Sequence, residues 1–199
     1  MDVQMEKIKG YVTELELKKG LAKLDCDQDK FLLLAIYNGI TGKSGLSELA
    51  KLKVEDINFD KGIVMVEDRI ITMDEELKKI TKGAIEQKTY ATEVFSKFGQ
   101  EEYDLNTDSP YVLRVKPRAV NNWGVEPMTY NGLRTRIARI LAKAGLDTTT
   151  SQLETSGIVN ELLKEKEEWT VMDVEFSLRI KNIKANAYRI YNIIKKINA

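Results

Sequence analysis

The chain has no histidine at all, one cysteine and only 3 prolines in 199 residues. Without imidazole there can be no Ser-His-Asp or Cys-His nucleophile pair, and the commonest zinc ligand is gone. Cys26 alone cannot close an internal disulfide, which points to a reducing, cytoplasmic setting. No stretch approaches the roughly 20 consecutive apolar residues of a membrane span. The opening "MDVQMEKIKG" lacks the apolar run of a secretion signal. No metal, no cofactor and no membrane contact are expected.

Charge of one sign is not in excess: 31 Lys and Arg balance 31 Asp and Glu, so the formal net charge is zero. The distribution is uneven. Between Tyr111 and Leu146 stand Arg114, Lys116, Arg118, Arg134, Arg136, Arg139 and Lys143 against Glu126 alone. From Phe176 to the end there are Arg179, Lys181, Lys184, Arg189, Lys195 and Lys196 with no acid. Two basic regions on a neutral chain are either solvated helix faces or one electrostatic footprint for a polyanion.

Periodicity divides the chain into helices and one small sheet. "DQDKFLLLAIY" (27–37) reads as a helix capped by Asp27 or Asp29, and "SGLSELAKL" as a short helix capped at Ser44 or Ser47. "VEDINFDKGIVMVEDRIITM" alternates around "DKG" as a hairpin or meander. "DEELKKITKGAIEQ" begins at an Asp74 cap, and 99–127 reads as loops around a short "YVLRV" strand. In "TYNGLRTRIARILAKAGL", Leu133, Ile137, Ile140, Leu141 and Ala144 form an apolar stripe, with Arg136, Arg139 and Lys143 on another face. "TTTSQLETSGIVNELLKEK" (148–166) opens on a capping box in which Ser151 caps and Glu154 reaches back. The terminal helix carries Ile183, Ala187, Ile190, Ile194 and Ile197 on one side and Lys181, Lys184, Tyr188, Tyr191 and Lys195 on another. The expected fold is α+β, mainly α-helical with a small antiparallel sheet.

Residues 31–64, "FLLLAIYNGITGKSGLSELAKLKVEDINFDKGIV", resemble the start of the catalytic domain of tyrosine recombinases, the phage integrase family. The ordered set "SEL", "LK", "EDI" and "FDKG" carries the likeness, and the later helices follow in family order. The resemblance implies a tyrosine-recombinase catalytic-domain-like fold over 1–199 as a single domain. Residues 1–26 would be a lead-in helix or linker, and the family's N-terminal core-binding domain would be absent. It also implies double-stranded DNA as partner. Such enzymes attack a phosphodiester with a tyrosine while two arginines clamp the phosphate and a hairpin lysine protonates the leaving 5′-oxygen.

Against that pattern the active positions here look degenerate. Gly45 stands where "RISEL" has its arginine, Ser151 and Glu154 stand where the family has "HxLR", and Arg179 replaces a late histidine. Tyr188, 34 residues past Glu154, holds the place of the nucleophile. An anion in place of a clamp cation opposes charge development at phosphorus. The resulting expectation is a non-enzyme: a catalytically inactive, integrase-like DNA-binding protein, a repressor or regulator of transcription and lysogeny from a temperate phage or mobile element, at the nucleoid of a bacterial cytoplasm. The expected DNA contacts are Lys43, Arg114, Arg118, Arg136, Arg139, Lys143, Arg179, Lys181 and Lys184. Two alternatives stay open: an active, atypical recombinase using Tyr188 or Tyr191, and an interaction module that self-associates or engages a true integrase through its C-terminal helix.

Overall fold

The computed structural model describes residues 8–41, 45–67, 69–92, 101–115 and 125–198. Its centre is α2 (Asp27–Tyr37), whose residues 31–37 are all buried. A helix apolar on every side belongs inside, and α2 packs against α4 (Glu75–Glu86), α5 (Tyr130–Ala144) and α6 (Thr150–Glu165). Around this centre lie α1 (Glu14–Leu21), which contacts α5, and α3 (Leu46–Lys51), which also packs on α5. Of the lead-in expected over 1–26, residues 12–24 contribute to the core: Val12, Leu17, Leu21 and Leu24 are buried in the main cluster, and 1–7 lie outside the described residues.

The meander forms as an antiparallel sheet of β1 (Ile57–Asn58), β2 (Ile63–Val66) and β3 (Arg69–Thr72), in that order. Val64 faces Ile57 on one side and Ile71 on the other. No "YVLRV" strand forms. Tyr111 makes a single bridge to Lys53, and the segment is held instead by buried Gln28. The Gln28 amide donates to the carbonyls of Ala84 (2.8 Å) and Val112 (2.5 Å), and its oxygen accepts from Arg114 N (3.1 Å). A second hairpin, β4 (Thr89–Thr92) with β5 (Glu101–Asp104), pairs Tyr90 with Tyr103.

Helix starts follow local chemistry. Asp74 accepts from Leu77 N at 2.7 Å, as the α4 cap requires, and Thr129 accepts from Gly132 N at 3.2 Å to begin α5. Gly145 ends α5 at φ +70°, where a side chain is strained. The cap of α6 is not Ser151. Thr149 caps it and Gln152 reciprocates, so the capping box lies two residues earlier. Threonines at 148–150 are equivalent in composition, and the register is decided by where Leu153 must enter the core. At α2 Cys26 holds the cap position and no side-chain cap forms; at α3 Gly45 holds it, and Ser44 lies outside the described residues.

After α6 come two helices, α7 (Val171–Ile180) and α8 (Ala187–Ile197), which pack on each other, and α8 packs on α6. They share a separate apolar cluster that includes Ile158, Val159, Leu162, Val174, Leu178, Ile190 and Ile194. The joint between α6 and α2 is closest at Gly157, where an added Cβ would lie 1.6 Å from the Tyr37 carbonyl oxygen. Gly157→Ala must push two backbones apart, which in a packed core costs about 1–3 kcal/mol and more where backbone resists. Urea unfolding of that variant is expected to show a loss of at least this size; an unchanged midpoint would mean that α6 is not seated on α2 this closely.

Candidate functional site

Of the positions read as the family's clamp, Glu154 lies against the loop between α2 and α3. Thr41 is buried there, and its hydroxyl donates to Glu154 Oε1 at 2.5 Å. Glu154 thus faces the loop instead of capping its own helix. From the hairpin, Arg69 Nη2 donates to the Gly39 carbonyl at 2.8 Å. The hairpin that lacks a lysine therefore still brings a cation to this loop. Gly45 sits at φ +64°, ψ −130°, with open space where a Cβ would be. That backbone conformation is one which side-chain-bearing residues rarely adopt, so the arginine of the family pattern is missing together with the backbone that would carry it. Lys43 lies outside the described residues.

On α6, Ser151 is exposed and its carbonyl accepts from Thr155 Oγ1 at 2.7 Å. Arg179 is exposed on α7 and pairs with Glu175 one turn back at 3.3 Å. The two candidate tyrosines separate clearly. Tyr191 is half-buried against the C-terminal apolar cluster, whereas Tyr188, in the first turn of α8, is 65% exposed.

Tyr188 lines an open cleft of about 370 Å³. One wall is α8, which contributes Arg189, Asn192 and Lys196 as well; the other is Gln152 and Thr155 of α6 with Lys9 of the N-terminal segment. That segment is held firmly. Thr148 Oγ1 donates to the Gly10 carbonyl (2.6 Å), Val12 N donates to Ser156 Oγ (3.0 Å), and Tyr11 Oη donates to Asn160 Oδ1 (2.9 Å). Burial, partly offset by the Asn160 hydrogen bond, pushes Tyr11 up to about 12. Tyr11 is thus a fixed, neutral donor and part of the wall. Gly10, at φ +79°, leaves room for the Gln152 amide, which an added Cβ would strike at 2.2 Å.

The basic residues expected on DNA are mostly engaged within the protein. Arg136 is 7% exposed, and its Nε donates to Asp29 Oδ1 at 2.7 Å while its guanidinium lies 4.4 Å from the centre of the Tyr90 ring. Its place on a basic outer face is corrected by this burial. Arg114 is likewise buried, donating to the Gln87 carbonyl at 3.1 Å. Burial draws its guanidinium below the ordinary arginine range. Arg139 donates to Tyr90 Oη at 2.6 Å, Lys143 pairs with Asp25 at 2.5 Å, and Lys181 bridges Glu161 and Glu165, each at 2.5 Å. Lys184 is exposed, and Arg118 lies outside the described residues. The cleft cations Lys9, Arg189 and Lys196 were not among the expected contacts. The signal was available for two of them: from a helix start at 187, positions 188, 189, 192 and 196 fall on one side of α8.

Among the described residues no group of three or more acids and cysteines could hold a metal ion, and no helix is long and apolar enough to cross a membrane. The family described as "MrpR, C-terminal catalytic domain" matches residues 11–197, nearly the whole of this fold. The chain belongs to that family. It is a tyrosine-recombinase-like catalytic domain. Tyrosine recombinase XerA of Pyrococcus furiosus is 31% identical over 153 residues, covering 73% of this chain and 45% of the relative. The namesake from Pyrococcus horikoshii is 34% identical over 94 residues, covering 39% of this chain and 31% of the relative. The chain thus spans less than half the length of these curated relatives. A crystal structure of XerA recombinase superposes with a TM-score of 0.56 at 19% identity, covering 93% of this chain and 60% of that one, which shows a shared fold.

These likenesses overturn the expectation of a non-enzyme. The family is that of a catalytic domain and the relatives are named recombinases, so changed residues at Gly45, Ser151 and Glu154 do not remove the chain from an enzyme class. The expectation rested on the changed side chains at Gly45, Ser151 and Glu154, and a change at a family position does not by itself exclude catalysis. Arg69 at the hairpin and the cations beside Tyr188 come from elsewhere in the sequence.

Proposed function

We propose that this domain grips duplex DNA and carries out strand transfer as an atypical tyrosine recombinase, with Tyr188 as nucleophile. The observation that carries the reading is Tyr188 itself: exposed, at the family position, and lining a cleft with three cations. In the step, Tyr188 Oη bonds to phosphorus and the bond from phosphorus to the 5′-oxygen breaks. The phenol proton leaves to solvent and the 5′-oxygen takes one up, giving a 3′-phosphotyrosine and a free 5′-hydroxyl. Fixed positive charge near the phosphate is the main source of stabilisation for such a transition state. Exposed Lys184, together with Lys43 and Arg118, is proposed to add backbone contacts that set affinity without reading sequence.

A second output of the same grip is favoured by Glu154, an anion at the loop where the family carries clamp cations. Slow strand transfer combined with long occupancy suits regulation of transcription in a phage or other mobile element. Fragments of the source genome, captured by the purified chain at low salt and sequenced, test the reading. Recurrent short sites are expected, retained by Tyr188→Phe; capture without any shared site, or no capture, overturns it.

A further inference from the structure

The cleft beside Tyr188 gathers three basic side chains around one concavity. Several basic side chains elsewhere lie against carboxylates: Arg136 on Asp29, Lys143 on Asp25, Lys181 on Glu161 and Glu165, Arg179 on Glu175. Lys9, Arg189 and Lys196 make no ion pair with any described residue, and among the described residues no acid lines the cleft they share. Three unneutralised cations around one concavity repel one another. That arrangement is tolerated at little cost in water and favours an anion that enters.

The walls are built to hold these charges in place. Lys9 precedes the segment that Thr148, Ser156 and Asn160 pin to α6, so its backbone cannot drift from the cleft. Arg189 and Lys196 lie seven residues apart on α8, two turns along one face, with Asn192 between them. Ile190 and Ile194, buried in the C-terminal cluster, fix the rotation of that helix. Asn186 caps α8 by accepting from Arg189 N at 2.9 Å, which seats the first turn that carries Tyr188.

We infer that this cleft seats a backbone phosphodiester, with Lys9, Arg189 and Lys196 as its cations, a clamp drawn from the N-terminal segment and α8 in place of the family's α3 and α6 positions. The inference rests on the reading of the domain as DNA-binding, and adds which residues meet the phosphate. The cleft volume of about 370 Å³ accommodates a phosphate with part of its sugar, and its open side admits a continuous strand.

The test uses the full chain and the single variants Lys9→Gln, Arg189→Gln and Lys196→Gln, with Lys79→Gln on α4 as an exposed control outside the cleft. All four are exposed in the fold, so stability should be unchanged, which thermal melting checks. DNA affinity is measured across a salt series, adduct formation is followed on nicked DNA, and inorganic phosphate alone is titrated in a melting assay. Loss of a phosphate contact reduces the slope of log affinity against log salt by about 0.9. Each cleft variant is expected to show that reduction and a slower adduct, while millimolar inorganic phosphate leaves the melting point where it was. If Tyr188 forms no adduct but the slopes still fall, the cleft assignment stands and the nucleophile reading falls. If adduct forms at the wild-type rate with unchanged slopes in all three cleft variants, the assignment is overturned and Tyr188 must find its cations elsewhere. Stabilisation by inorganic phosphate that the variants abolish, with DNA slopes unaltered, makes this a free-anion site and also overturns it.

Discussion

Arg136→Leu is expected to lower the unfolding free energy by about 3–5 kcal/mol, the loss that follows when one partner of a buried ion pair is removed. The pair is deep: the Arg136 and Asp29 side chains are 7% and 13% exposed and meet at 2.7 Å. Tyr90 Oη adds donation to both Asp29 oxygens at 2.9 and 3.0 Å, and Arg139 donates to the same hydroxyl. Removing the guanidinium leaves the carboxylate with a single phenol donor in a site from which water is largely excluded. Asp29→Leu combined with Arg136→Leu removes both charges and should recover much of the loss, because the pair's attraction is offset by the cost of taking two ions out of water. Urea unfolding of the wild type, both singles and the double measures it as a cycle. The opposite pattern, unchanged stability with loss of DNA binding in Arg136→Leu, would put this arginine on the DNA after all.

The second large effect is expected at Glu154. Two unit charges about 4 Å apart interact by roughly 4 kcal/mol at an effective dielectric of 20 and roughly 1 kcal/mol in water. Glu154 is half-buried, so a phosphate approaching the α2–α3 loop meets a repulsion between those limits. Glu154→Gln abolishes that repulsion, and its side-chain oxygen can keep the hydrogen bond from Thr41 Oγ1. For a backbone phosphate that passes this loop beside the one seated in the Tyr188 cleft, DNA affinity at low salt should therefore rise by up to about tenfold, since roughly 1.4 kcal/mol is a factor of ten. The gain should shrink as salt screens the charge. Binding isotherms at two salt concentrations check this. No gain at low salt would mean that no backbone phosphate comes near this loop.

The parts of the fold that could be read in the sequence are those decided within one helix turn or one hairpin. Asp74 announces α4, the stripe from Leu133 to Ala144 announces α5, and "FDKG" announces the β1–β2 turn. What could not be read depends on residues far apart in the chain. The sequence places Arg136 among the DNA contacts on an outer basic face because an arginine at a helical i, i+3 spacing with other cations normally lies on such a face. Its burial is decided by Asp29, 107 residues away, and by Tyr90 on a hairpin whose strands are short and polar. The α6 cap slipped by two residues because three consecutive threonines offer equivalent hydroxyls.

The site was legible as a set of family positions and not as a set of charges. In the sequence Gly45, Ser151 and Glu154 depart from the family pattern, and Tyr188 holds the place of the nucleophile with Tyr191 open as its alternative. The structure separates the two tyrosines, because Tyr191 packs into the cluster of Ile190 and Ile194 while Tyr188 faces the cleft. Inferring that the chain was no enzyme required that no other cation could serve. Lys9 lies 179 residues before Tyr188, and only the fold brings them to one cavity.

The most direct measurement is covalent trapping. A duplex carrying a site recovered by genomic capture, nicked just 3′ of the attacked phosphate so that the freed fragment diffuses away, is incubated with wild-type chain and with Tyr188→Phe. A protein–DNA adduct that survives denaturation, maps to Tyr188 by mass spectrometry and is absent from the variant is the predicted result. Tight binding of the same duplex with no adduct at any salt concentration would contradict the assignment of strand transfer to this domain.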